Sequence, residues 1–262
     1  MLIKLIPNKS AVAAGTQFVV RPQIGPTYEV VDFYLTGGLT KAMIKNFRVE
    51  VRGKPIQTFK DGVQMDALNK AWRRPESGRD DLLRLWFYRP ELENLAQARN
   101  FALGTQDVDT LAFVMDIDAS APVAANMVVK ARTTAPMDLG VMTKIKQFPQ
   151  NFAQGGEQEI ADLPTRGAAI AAMHLQSAEV ESLELALDSY KVLEGKVSEL
   201  HDSYAESLTP QAGFAHVSYL PRKSQFDALV TEGVQDFRLT VGLANAASFP
   251  LVVEYFDSYD GL

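Results

Sequence analysis

No cysteine occurs among the 262 residues, which removes disulfides, thiolate nucleophiles and thiolate-held metals. The chain is thus compatible with assembly in a reducing cytoplasm. Histidine is nearly as scarce, with His174, His201 and His216 the whole complement. No two of them stand at H-x-H or H-x-x-x-H spacing, the usual arrangement of metal ligands within one element. A metal-dependent cupin, with its histidines clustered on inner strands, loses its footing; the three histidines could meet only through tertiary folding, and His174, beside Leu175, reads as a structural residue. No apolar run approaches the ~18 residues of a membrane span. The apolar stretch within residues 1–7 is too short for a secretory signal, so a soluble chain is expected. The nucleophile elbow, the P-loop, the dinucleotide-binding glycine pattern and the EF-hand loop are all missing.

What is present is ordinary globular composition, 47% hydrophobic and 22% charged, so wholesale disorder is excluded. The length suits two domains of roughly 130 residues, each able to bury a core. Charge is uneven: residues 1–136 carry 18 Lys/Arg against 14 Asp/Glu, and residues 137–262 carry 8 against 18. The basic residues of the first half are interleaved with acids and form no cluster. They read as a solvated surface, with no specific nucleic-acid partner.

Alternation of apolar and polar residues dominates the local pattern, the period of a half-buried strand. Phe47, Val49 and Val51 alternate with Arg48, Glu50 and Arg52; Leu111, Phe113 and Met115 repeat the pattern, as do Phe237, Leu239 and Val241. Strands are predicted at 2–6, 17–24, 29–36, 44–51, 83–88, 110–117, 127–132, 141–148, 168–175, 180–188, 214–219, 236–243 and 250–256. Gly37-Gly38 and Gly155-Gly156 read as turns. Three short helices are predicted: one carrying Met65, Leu68 and Trp72 behind Asp61 as N-cap, one over residues 90–99, and one carrying Val197, Leu200 and Tyr204.

The first half can be laid on the second at an offset that drifts smoothly. Residues 3–7 match 145–149 and Pro22 matches Pro164 at 142; Phe33 and Leu35 match Met173 and Leu175 at 140. Phe47, Val49 and Val51 match Leu183, Leu185 and Leu187 at 136, and the first helix triplet matches the third at 132. Leu111, Phe113 and Met115 match Phe237, Leu239 and Val241 at 126; Met127 and Val129 match Leu251 and Val253 at 124. Each copy then holds about eight strands with a helix near its middle and no βαβ alternation. Eight antiparallel strands in two facing sheets make a jelly roll. The expected fold is all-β, two tandem eight-stranded jelly rolls with short helices in the loops. The first occupies residues 1–135 and the second 136–262, with the boundary near residues 133–140 where Pro136 interrupts the pattern.

The search for chemistry yields little. Asp116 and Asp118, Glu157 and Glu159, and Asp257 and Asp260 are the close acid pairs, the raw material of glycosidases or of a hard-cation site. They read as strand ends and solvated loops, and no catalytic, cofactor-binding or metal-binding residue is assigned. Asn8-Lys9-Ser10 has the form of a glycosylation sequon but no secretory context. Trp86-Phe87-Tyr88 between Arg84 and Arg89 could stack bases or sugars. A strand apolar on both faces is better explained by packing against a helix or a neighbouring subunit.

Several stretches resemble a known family. Residues 32–69 with the hairpin 46–54, the segment 85–90 (LWFYRP), and residues 145–175 with Asp162-Leu163-Pro164, Gly167 and His174 are similar to viral major coat proteins of the double jelly-roll lineage. The resemblance is greatest to the P2-type coat proteins of membrane-containing, corticovirus-like bacteriophages. It implies a non-enzymatic major capsid protein that forms homotrimers of pseudo-hexagonal outline. These would pack laterally into an icosahedral shell over a lipid membrane, be assembled in the host cytoplasm and reside in the virion. Implied partners are further copies of the chain, a penton or vertex protein and viral membrane proteins. No cofactor is required; structural calcium is implied by resemblance only. The opposed charges of the halves suggest that copy one of each subunit meets copy two of the next, with Arg48 and Arg52 as candidate contributors. The alternative is a lectin-like tandem β-sandwich binding carbohydrate through Tyr255, Phe256 and Tyr259, and a third reading is a jelly-roll glycosidase.

Overall fold

The computed structural model describes residues 2–7, 11–75, 79–161 and 163–261. The sequon at Asn8 and the Asp162 of the resembling stretch lie outside the described residues. The chain divides into two compact units: Met1–Lys70 with Arg74–Ile145, and Ala71–Arg73 with Lys146–Leu262. The expected division at 135/136 differs from this in two places. Residues 136–145 belong with the first unit, and the end of that stretch runs beside Gln57, whose side-chain amide donates to the Thr143 carbonyl at 2.9 Å. Residues 71–73 belong with the second because Thr209 N–H donates to the Ala71 carbonyl at 2.7 Å and Arg73 Nε donates to Thr209 Oγ1 at 2.6 Å.

Eight strands open in the first unit: β1 (Leu2–Ile6), β2 (Gln17–Val20), β3 (Thr27–Thr36), β4 (Ile44–Val51), β5 (Lys54–Asp61), β6 (Leu82–Trp86), β7 (Leu111–Ile117) and β8 (Asn126–Thr134). Helix α1 (Gly62–Ala71) follows β5, and α2 (Leu95–Asn100) follows β6. The strands form two sheets, ordered β1-β8-β3-β6 and β2-β7-β4-β5. The sheets face each other through alternate side chains. Phe33 of β3 meets Phe47 of β4 and Phe113 of β7 edge to face, with ring centres 5.4 and 5.8 Å apart. All three rings are fully buried.

The second unit repeats this plan. Strand β9 (Met142–Phe152) changes unit after Ile145, and is followed by β10 (Gly156–Ile160), β11 (Ala169–Leu175), β12 (Val180–Leu187), β13 (Tyr190–Lys196), α3 (Val197–Ser203), β14 (Ala215–Ser218), β15 (Phe237–Leu243) and β16 (Ala247–Asp257). Its sheets are ordered β9-β16-β11-β14 and β10-β15-β12-β13. Adding eight to each strand number of the first unit reproduces the second. Every strand segment paired by the drifting offset falls on strands eight apart, and the two helix triplets fall on α1 and α3, each after its fifth strand, with Trp72 and Tyr204 one residue past the helix ends. Pro22 and Pro164 both follow the second strand of their unit.

Three strands carried too little alternation to be read from sequence: β5, β10 and β13. Strands β10 and β13 are the edges of their sheet, where one side of the ladder is unpaired and little is buried. Strand β5 starts with Lys54-Pro55 and buries the polar Gln57. The helix expected over 90–99 is shorter. Its cap is Asn94, whose Oδ1 accepts from the Ala96 and Gln97 amides at 2.8 and 3.3 Å, so residues 90–94 stay in turns. Asp61 caps α1 as expected, accepting from the Gln64 amide at 2.8 Å. The Gly37-Gly38 turn requires its glycines: both have positive φ, and a Cβ on Gly37 would fall 1.7 Å from the Ala124 carbonyl oxygen.

Because the facing sheets meet on Phe33, its replacement by Ala should cost the first unit about 3–5 kcal/mol. A drop in the urea midpoint measures it; an unchanged midpoint would remove Phe33 from the core.

Candidate functional site

The histidines, far apart in sequence, meet in the second unit. His174 on β11 and His216 on β14 are directly opposite in the ladder, and their Nδ1 atoms lie 2.7 Å apart. His216 Nε2 accepts from the Gln211 amide at 3.2 Å, so its proton sits on Nδ1 and is donated to His174. His174 must then carry its own proton on Nε2, which faces Glu254 Oε1 of β16 at 3.3 Å. The Trp72 indole donates to the same oxygen at 2.7 Å. His201, at the end of α3, accepts the His216 amide on Nε2 at 3.0 Å. His174, His216 and Glu254 are entirely buried. Burial pushes the His216 pKa down to about 2, with His174 and His201 adding to the effect and Glu254 opposing it. Burial also lowers that of His201, against Asp202.

The named donors each meet an acceptor, and His174, His216 and Glu254 are sealed from solvent. The structural reading of His174 agrees with this geometry. The missing signal was register: opposing strands 168–175 and 214–219 would have paired His174 with His216. Among the described residues, no group of three or more His, Asp or Glu side chains is arranged to hold a metal ion.

A second buried cluster lies in the first unit. Glu91 receives Arg74 Nη2 at 2.9 Å and Nε at 3.2 Å, and Arg89 Nε stands 2.8 Å from it. Burial would raise the Glu91 pKa, but Arg74 and Arg89 outweigh it and hold the carboxyl below its usual range. Arg89 thus serves a buried carboxylate rather than flanking a stacking platform. Trp86 and Phe87 are buried, as the two-faced apolar pattern implied.

The acid pairs do not converge. Asp116 receives Asn46 Nδ2 at 2.8 Å, and Asp118 caps Ser120, whose hydroxyl and amide hold its pKa down. The carbohydrate-binding alternative loses its aromatics. Tyr255 and Phe256 are buried on β16, and the Tyr255 hydroxyl donates to the Pro164 carbonyl at 2.9 Å. Tyr259 is half-buried. What the surface offers is exposed apolar side chains on edge strands: Leu2, Ile3 and Leu5 on β1, Tyr190 and Val192 on β13. Such edges are docking surfaces unless something blunts them.

The family description "Viral coat protein P2 N-terminal domain" matches residues 3–134, and "Viral coat protein P2 C-terminal domain" matches residues 142–259. The chain is 36% identical over 194 residues to the major capsid protein P2 of Pseudoalteromonas phage PM2, covering 71% of this chain and 68% of that protein. The crystal structure of the PM2 major capsid protein P2 superposes with a TM-score of 0.91 at 26% identity over 100% of both chains. A chain of Sulfolobus Turreted Icosahedral Virus shares the fold alone, with a TM-score of 0.70 at 12% identity over 99% and 92% of the two chains.

Two outcomes follow from the buried clusters. His216 stays neutral in the fold but takes a proton near pH 6.5 once unfolded, so the unfolded state binds more protons below that pH. Stability should be flat above about pH 7 and fall by roughly 1.4 kcal/mol per pH unit below pH 6 for this group. Urea titrations at stepped pH measure the slope, which His216→Asn should reduce; an equal slope in the variant would refute the assignment. Glu91→Gln should cost about 3–5 kcal/mol, because two buried guanidiniums lose their counter-charge. A variant as stable as the parent in urea would show that the cluster is solvated.

Proposed function

The chain belongs to the P2 family of viral coat proteins, and from that premise we propose how it builds a shell. It is a major capsid protein, located in the virion shell and structural rather than enzymatic. In our reading it forms a homotrimer whose six jelly rolls give a pseudo-hexagonal tile, and tiles meet edge to edge in an icosahedral capsid over an internal lipid membrane. A penton or vertex protein and viral membrane proteins are the other partners. Assembly rests on shape and charge and calls for no cofactor and no specific nucleic-acid contact.

The observation that carries this reading is the full-length superposition on a phage capsid protein, in which both eight-stranded units take part. Supporting it, the edge strands β1 and β13 carry exposed apolar side chains, Leu2, Ile3 and Leu5 on one and Tyr190 and Val192 on the other. An obligate interface of this kind buries more than about 2,000 Å² in total. Sedimentation of the purified chain should therefore give three times its 28.9 kDa mass, and negative-stain images should show threefold tiles. A monomer at all concentrations would overturn the trimer.

A further inference from the structure

The two arginines singled out by sequence are compensated at home: Arg48 pairs with Glu50 at 3.2 Å and Arg52 with Asp107 at 3.3 Å. Two cations on β8 are not. Arg132 and Lys130 stand two residues apart and so share one face of the sheet. Arg132 is seated between Trp86 and Tyr88, its guanidinium carbon 5.3 and 5.8 Å from the ring centres. Its Nε and Nη2 are shielded from solvent and have no hydrogen-bond partner. Lys130 lies 5.1 Å from the centre of the Tyr34 ring. Asp32, opposite Lys130 in the ladder, is taken by Arg84 at 2.6 and 3.0 Å. Among the described residues neither Arg132 nor Lys130 has an ion pair. Edge strand β1 places Ile3 opposite Arg132 and Leu5 opposite Lys130, 66% and 64% exposed. The face is cationic, pre-organised by aromatics and bordered by uncovered apolar groups.

The second unit carries its complement. In the sheet β10-β15-β12-β13 the register aligns Glu159, Thr240, Glu184 and Glu194 in one row across four strands. Glu157 begins the adjacent row, which ends in Lys196, and Glu157, Glu184 and Glu194 with Glu199 of α3 and Lys196 line a hollow of about 360 Å³. Lys191 alone serves both Glu184, at 2.9 Å, and Glu194, at 3.1 Å. Glu157 and Glu159 have no ion pair among the described residues; Arg238, paired with Asp236 at 2.9 Å, also feels the Glu159 charge.

We propose that these faces dock on each other between copies: the Arg132–Lys130 face of one copy's first unit against the glutamate row of the next copy's second unit. This rests on the self-association proposed above. The occupant is a second copy of this chain because the halves have opposed net charge, with each charged set lying on the half of matching sign. A contact between unlike surfaces repeats from copy to copy and closes when the rotation allows a ring. The apolar groups of β1 exclude water beside the cations, which strengthens the pairs they form.

The test is a charge swap in the full chain, using Lys130→Glu, Glu159→Lys and the two combined, read by sedimentation velocity with circular dichroism as the check of fold. Each single reversal should weaken association at least tenfold, and the combined variant should recover most of it. Arg132→Met, which keeps the stacked shape without the charge, should weaken association and flatten its salt dependence. Should Lys130→Glu lose its fold, Lys130→Gln takes its place, with a smaller loss expected. Singles that associate like the parent, or a combined variant no better than either single, overturn the docking. A parent chain that is monomeric throughout overturns instead the self-association beneath it. Flotation with anionic phospholipid vesicles that depends on Lys130, while association does not, assigns the face to lipid and overturns the proposal.

Discussion

In each unit two sheets must hide one face apiece, and every other property of the chain is arranged around that requirement. Alternate residues of β3, β4 and β7 meet in the first unit, and their counterparts on β11, β12 and β15 meet in the second. Because the inward set is fixed by the pleat, a slip of one residue would turn Phe33, Phe47 and Phe113 to solvent and bring charged neighbours in. Register is therefore held by the core. The outward set, the edges and the loops are left free to be chosen for contact with other molecules. That division suits a coat protein, whose work is done wholly on its outside.

The same division explains what could be read in advance. Strands with one buried face announce themselves by period, so Phe47-Arg48-Val49-Glu50-Val51 and Phe237-Arg238-Leu239 were legible, and so was their duplication. Strands β10 and β13 were not, because an edge strand with Glu157, Glu159 or Lys191 on it has no face that must be apolar. The helix at residues 90–99 was read too long, since the pattern of its acids resembles a first turn while Asn94 is the residue that caps it. The drift of the repeat had a physical source in shorter connections and survived three missing strands, because order along the chain is harder to mimic than any single alternation.

Polar clusters were the least legible part. His174, His216 and Glu254 stand on three strands, and no local spacing joins them; Arg74, Arg89 and Glu91 are close in sequence, yet only burial shows that they serve one carboxylate. The side chains of both clusters are buried. They specify how strands and loops meet rather than perform chemistry. Net charge per half was legible, but which cations remain uncompensated required partners to be seen, and the answer moved from Arg48 and Arg52 to Arg132 and Lys130.

The histidine chain has a direction. Protons point from the Gln211 amide through His216 and His174 to Glu254, and each ring's acceptor settles where its proton must lie. A substitution that reverses the sense of one link sets two donors or two acceptors against each other at the next. The positions are consequently epistatic: changes tolerated together will be refused singly, and the order in which they are acquired decides which intermediates can fold.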